Sequence, residues 1–86
     1  MFKVDLIVRP RVGVRDPQGE AVQEALRGIG VEQAHIHCVG RYLSLEIDAP
    51  DEAAARQTLD EMCRSLLVNP NLETYEAVLT EQGTEP

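Results

Sequence analysis

Eighty-six residues with 43% hydrophobic content allow one small domain with a thin core, because short chains bury proportionally little surface. A formal charge of −7 argues against a nucleic-acid partner, which calls for a basic stripe and stacking aromatics. Two cysteines without a C-x-x-C and charges at Lys3, Asp5 and Arg9 near the amino terminus argue against a disulfide scaffold and a signal core, and no stretch is long enough for a bilayer. A cytoplasmic protein is therefore expected.

Val4, Leu6 and Val8 alternate with Lys3, Asp5 and Arg9, the period-two pattern of a strand with one buried face, and Pro10 ends it. Asp16 is placed to cap a first helix, with Pro17 at the first helical position, where a missing N–H costs nothing. Val22, Ala25, Leu26 and Ile29 form that helix's apolar stripe, and Gly30 stops it. Gly19 stands in the first turn, where glycine costs about 1 kcal/mol relative to alanine. It is expected to let a ligand or a partner's backbone approach closely.

Gly40 and Arg41 read as a two-residue hairpin turn with positive φ at the glycine. The implied register pairs Val39 with Tyr42, Cys38 with Leu43, Ile36 with Leu45 and His35 with Glu46. It places Ile36, Cys38, Leu43, Leu45 and Ile47 on one face. Asp48 to Asp51 opens a second helix whose apolar positions are Ala55, Leu59, Met62 and Leu66, ended by Asn69 and Pro70. A last strand, Leu72 to Leu79, alternates without declaring which face is inner.

The order strand, helix, strand, strand, helix, strand predicts a ferredoxin-like α+β sandwich, a four-stranded antiparallel sheet with two helices on one face. Residues 1–79 form a single domain in this reading, and residues 80–86 a flexible tail. The helix-free face would carry Ile7, Val39, Tyr42 and Val78 among Lys3, Asp5, His37 and Glu46, which is apolar enough to predict a homodimer or tetramer.

Chemistry-bearing clusters are sparse. His35-x-His37-Cys38 contains metal-ligand types, but strand alternation sends Cys38 to the face opposite the histidines, so core and cross-strand roles are expected instead. Cys63 lies near the buried stripe of the second helix without a base at a useful spacing. The pairs Asp51–Glu52 and Asp60–Glu61 read as solvated helix flanks. Arg9, Arg11 and Arg15 gather positive charge before the capped helix, an arrangement open to an anion.

D-P-Q-G at Asp16 to Gly19, V-G-R-Y at Val39 to Tyr42 and N-P-N-L-E-T-Y-E at Asn69 to Glu76 together closely resemble the PurS family. This family supplies the small subunit of the split bacterial and archaeal phosphoribosylformylglycinamidine synthase. The resemblance implies a noncatalytic role in the fourth step of purine synthesis, where formylglycinamide ribonucleotide becomes the amidine. A PurL-type synthetase subunit would bind ATP and magnesium, and a PurQ-type glutaminase would release ammonia. Small-subunit dimers would bridge the two and support ammonia transfer, with no cofactor bound by this chain.

Arg9, Arg11, Asp16, Pro17, Gly19, Gly40, Arg41, Asn69, Pro70, Glu73 and Tyr75 are the partner-interface residues this reading implies. The chain departs from the family pattern at Cys38 and Arg41, where the turn usually reads R-V-G-K, and at Arg15, where an apolar residue is expected. Two other readings suit the fold class: a regulatory module binding a small effector, and a small hydrolase holding phosphate on the arginine loop.

Overall fold

The computed structural model describes residues 1–82 as an α+β fold. In chain order the elements are β1 (Phe2–Pro10), α1 (Pro17–Gly28), β2 (Arg41–Ile47), α2 (Glu52–Met62), a π-helical turn (Cys63–Leu67) and β3 (Glu73–Glu81). β1 lies at the centre of a sheet ordered β2-β1-β3, with both neighbours antiparallel to it. Its alternation does what period two predicts: Val4, Leu6 and Val8 are completely buried and Phe2 nearly so. They pack with Ile47, Ala55, Leu59, Cys63 and Val68 as the core.

The register settles the inner face of β3. Leu6 pairs with Ala77 and Val4 with Leu79, and both partners pack on the core, while Val78 is exposed on the other face. β3 also runs further than expected. Thr80 and Glu81 pair with Lys3 and Phe2, and the Gln82 N–H donates to the Met1 carbonyl at 2.9 Å. The expected tail at residues 80–86 therefore does not begin at Thr80; its last four residues, 83–86, lie outside the described residues.

Asp51 caps α2 by accepting from the Ala54 N–H at 2.8 Å, which satisfies one of the free first-turn donors. Ala55, Leu59 and Cys63 then recur every fourth residue toward the sheet. Leu66, expected to share that stripe, is instead 84% exposed. The cause is the π-helical turn, in which the Val68 N–H reaches back five residues to the Cys63 carbonyl. The wider turn rotates the later side chains, so Leu67 and Val68 face inward in its place.

α1 starts and stops as its sequence predicts. The Asp16 carboxylate accepts from the Gly19 N–H. At the other end Gly30 takes a φ of 89°, its N–H bonds the Arg27 carbonyl and that of Val31 the Leu26 carbonyl, a Schellman motif. What differs is the destination of the helix. The expectation of two helices on one sheet face is corrected, because α1 contributes nothing to the core cluster. Ala25 is exposed, Val22 is 41% and Ile29 75% exposed. The radius of gyration is 16.9 Å, against about 12 Å for a compact chain of this length.

The four-stranded sheet is corrected to three strands, and the Gly40–Arg41 hairpin is absent. β2 pairs with β1, Val8 opposite Arg41 and Ile7 opposite Tyr42, and residues 34–40 join no strand. Gly40 does not have positive φ. It is small for another reason, since a Cβ there would lie 2.2 Å from the Val8 carbonyl oxygen. Side chains of α1 take up the backbone groups that a hairpin would have paired. Gln23 Oε1 accepts from the Ile36 N–H at 2.7 Å, its Nε2 donates to the Ala34 carbonyl at 3.0 Å, and Asp16 Oδ2 accepts from the Val39 N–H at 2.9 Å.

Ile36 is consequently only half-buried and Cys38 is exposed, so neither joins the core. His37 and Val39 leave the outer sheet face, and His35 does not sit opposite Glu46, whose partner is Lys3. Ile7, Tyr42 and Val78 do occupy that face and are exposed.

Candidate functional site

The residues singled out at the start of α1, in the Gly40–Arg41 segment and in the Asn69–Tyr75 run are scattered in sequence, yet the topology collects them at one end of the sheet. β1 finishes there, β2 and β3 begin there, and the π-helical turn and the cap of α1 border it.

Arg41 is the junction of this end. Its Nη2 donates to the Glu73 carboxylate at 2.7 Å and to the Leu67 carbonyl at 3.0 Å, tying β2 to β3 and to the end of the π-helical turn. The same Glu73 oxygen accepts from the Asn69 N–H at 2.9 Å. That bond first, reinforced by the guanidinium, holds the Glu73 carboxyl below its ordinary range. Arg11 closes the loop after β1 onto the same turn: its backbone N–H bonds the Leu72 carbonyl and its Nε the Pro70 carbonyl, both at 2.9 Å. Asn69 shapes the turn through its side-chain oxygen, which accepts from the Asn71 N–H at 3.1 Å.

Between this turn and the α1 cap runs an open groove of about 350 Å³, bordered by Pro10, Val14, Asp16, Pro17, Val39 and Leu72 among others. The glycine in the first turn of α1 finds its explanation beside it. A Cβ on Gly19 would lie 2.4 Å from Asp16 Oδ2, so the residue leaves space for the carboxylate that reaches across to Val39. The space expected to admit a ligand or another backbone is filled from within the chain.

The arginines do not converge on an anion. Arg9 Nη1 is bonded to Glu76 at 2.8 Å on the outer sheet face, Arg15 is paired with Glu20, and Arg11 is spent on Pro70. A carboxylate already occupies the α1 cap and would repel a second anion. The phosphate-holding hydrolase reading therefore has no geometric support.

Tyr75 faces inward beside Val8 and borders a small cleft of about 140 Å³ with Asp60 and Cys63. Burial pushes both the Cys63 thiol and the Tyr75 phenol up, so the thiol stays protonated and packs as a small apolar group. His35 and His37 meet edge to face at 5.1 Å. Among the described residues no group of three or more His, Cys, Asp or Glu is placed to hold a metal ion, and no helix is long and apolar enough to cross a membrane.

Sequence reasoning missed Gln23, Val39 and the Leu67 carbonyl as structural partners of this end. A polar glutamine beside the apolar stripe of α1 was the available signal for the first; the others act through backbone groups that residue type does not reveal.

Comparison with known proteins gives a consistent result. The family model PurS, phosphoribosylformylglycinamidine (FGAM) synthase, matches residues 3–81. A phosphoribosylformylglycinamidine synthase subunit PurS from Synechocystis is 43% identical over 70 residues, covering 81% of this chain and 70% of that protein. The corresponding subunit of Thermotoga maritima is 35% identical and covers 88% of this chain and 93% of that protein. Among solved structures, Bacillus subtilis PurS superposes with a TM-score of 0.84 at 34% identity, covering 94% of this chain and all of that one. A chain from the structure of PurLQS from Thermotoga maritima gives 0.80 at 33% identity, covering 92% and 96%.

Proposed function

The chain belongs to the PurS family of phosphoribosylformylglycinamidine (FGAM) synthase, and from that premise we propose that it bridges a synthetase and a glutaminase without making or breaking bonds itself. It is a subunit of the ligase that forms FGAM in purine biosynthesis, working in a complex with PurL- and PurQ-type partners. The observation that carries the bridging role is the close likeness, along nearly the whole chain, to a chain of the PurLQS structure. The hydrogen-bonded sheet end supports it: Arg41, Glu73, Asn69 and Arg11 form a rigid border around an open groove, geometry suited to docking protein rather than to activating a substrate.

A homo-oligomer is part of this reading. The exposed Val22 and Ile29 of α1, the exposed Ile7, Tyr42 and Val78 of the outer sheet face, and the segment 34–40, which joins no strand of its own chain, are surfaces that a second copy would cover. In such an assembly that segment would supply the edge strand the single chain lacks. ATP and magnesium belong to the synthetase, this chain binds no cofactor, ammonia passes between the partners' active sites, and the assembly is cytoplasmic.

Reconstitution tests the proposal. The isolated chain is expected to be inert, and adding it to the synthetase and glutaminase should restore glutamine-dependent FGAM formation. Turnover by the chain alone, or no restoration on mixing, would overturn it. An effector-binding module would instead show saturable binding of amino acids or nucleotides by the isolated chain in calorimetry.

A further inference from the structure

Asp16 does more than begin a helix. One carboxylate oxygen accepts from the Gly19 N–H at 3.1 Å inside α1, and the other accepts from the Val39 N–H at 2.9 Å, 23 residues away. Asp16 is half-buried and Gly19 is buried, so these bonds are partly shielded from competing water. Val39 directly precedes Gly40, which lies against the Val8 and Arg9 backbone so tightly that no Cβ fits. A short path thus runs from the sheet through Gly40 and Val39 into the Asp16 carboxylate and on to the first turn of α1. Gln23, about one turn beyond Gly19 along the helix, holds the same segment at Ala34 and Ile36.

This path stands in for an apolar interface, because no α1 side chain enters the core. With little packing to fix the helix, its direction relative to the sheet depends on these few bonds, and their loss would let α1 sample other directions. Resting on the subunit reading above, we infer that Asp16 is a positioning residue for FGAM synthesis: its two-pronged clamp presets α1 in the direction that assembly requires. Preorganisation of this kind acts on apparent affinity, which falls in proportion to the fraction of chains in the competent arrangement.

Asp16→Ser separates the clamp from the cap, since a serine hydroxyl caps a helix well but is too short to bond Val39 as well. Wild-type and variant chains are titrated into the synthetase and glutaminase while glutamine-dependent FGAM formation is followed. The half-saturating concentration of the variant should rise on the order of tenfold, corresponding to a competent fraction of about one in ten, while the plateau rate changes far less. Gln23→Met loosens the same segment from its far end and should shift half-saturation in the same sense. In amide exchange on the isolated chain, the Val39 N–H should be protected in wild type and released by Asp16→Ser.

Equal half-saturation for wild type and Asp16→Ser, or a fall confined to the plateau, overturns the inference. So does an effect of Asp16→Ser that Gln23→Met does not share, because Asp16 would then act by touching the partner directly. An unprotected Val39 amide in wild type overturns it without any partner present. Wild-type chain that restores no turnover overturns the subunit reading, and this inference with it.

Discussion

The sheet with α2 and the α1 arm are built from the same residue types and stabilised in different ways. In the first, Val4, Leu6 and Val8 have no exposure at all and stack against Ala55, Leu59 and Cys63. In the second, Gly19 alone is buried, and the attachments are side-chain bonds from Asp16 and Gln23 to one strap of backbone, residues 34–40. An amphipathic helix that its own sheet leaves uncovered is suited to assembly, because its apolar stripe remains available to another chain. On the proposed reading, cohesion and assembly are divided between two parts of one small molecule.

The sharpest way to test that division is to truncate one apolar side chain in each part. Leu6→Ala opens a cavity in the fully buried centre and should cost roughly 2–5 kcal/mol, measured by denaturant unfolding. Val22→Ala, on the exposed arm, should cost the dilute chain no more than about 0.5 kcal/mol. Val22→Asp should weaken self-association in sedimentation while leaving unfolding of the dilute chain nearly unchanged. Comparable losses from Leu6→Ala and Val22→Ala would mean that the arm packs on its own sheet in solution.

Gly40→Ala probes the joint between the two parts. The added methyl meets the Val8 carbonyl rather than a movable side chain, so β2 or the strap must shift, at a cost of roughly 1–3 kcal/mol. Asp51→Ala, which removes the α2 cap at Ala54, should cost about 1 kcal/mol in the same unfolding measurement. A smaller loss at Gly40 than at Asp51 would show that the strap moves easily and that the joint is softer than its contacts suggest.

What the residues disclose follows the same division. β1 was legible because period two and burial coincide, and both α1 termini were legible because Asp16, Pro17 and Gly30 carry local rules. The strap was misread because strand-like residues at 35–39 do not say what will accept their hydrogen bonds. Asp16 and Gln23 do so from 23 and 13 residues away, beyond any local spacing rule. Leu66 was misplaced because a π-helical turn changes the helical period without a marker residue. At the site, the motifs at Asp16–Gly19, Gly40–Arg41 and Asn69–Tyr75 named interface candidates without saying where they meet; the sheet topology brings them to one end and leaves Arg9 and Tyr75 on opposite faces of it. The purpose of Gly19 became visible only with the Asp16 carboxylate in place.

The smallest expected effect lies at the border of the groove beside the α1 cap and depends on pH. Glu73 titrates below its ordinary value of 4.5 in the folded chain, chiefly because the Asn69 N–H bonds its carboxylate, with partial desolvation opposing and Arg41 reinforcing. A carboxyl depressed in this way contributes stability that is complete above the unfolded value and is lost as pH falls through the lower folded one. Glu73→Gln should therefore lower the melting temperature slightly at neutral pH, by an amount that stays constant down to about pH 5 and shrinks at more acid pH. Arg41 and Asn69 would then lose their hold on the turn together, since one Glu73 oxygen serves both. A difference that persists unchanged through acid pH would assign the contribution of Glu73 to packing. The groove would then keep its shape by contacts of the same kind as the core, and the contrast between the two parts of the molecule would narrow at the surface where partners are proposed to dock.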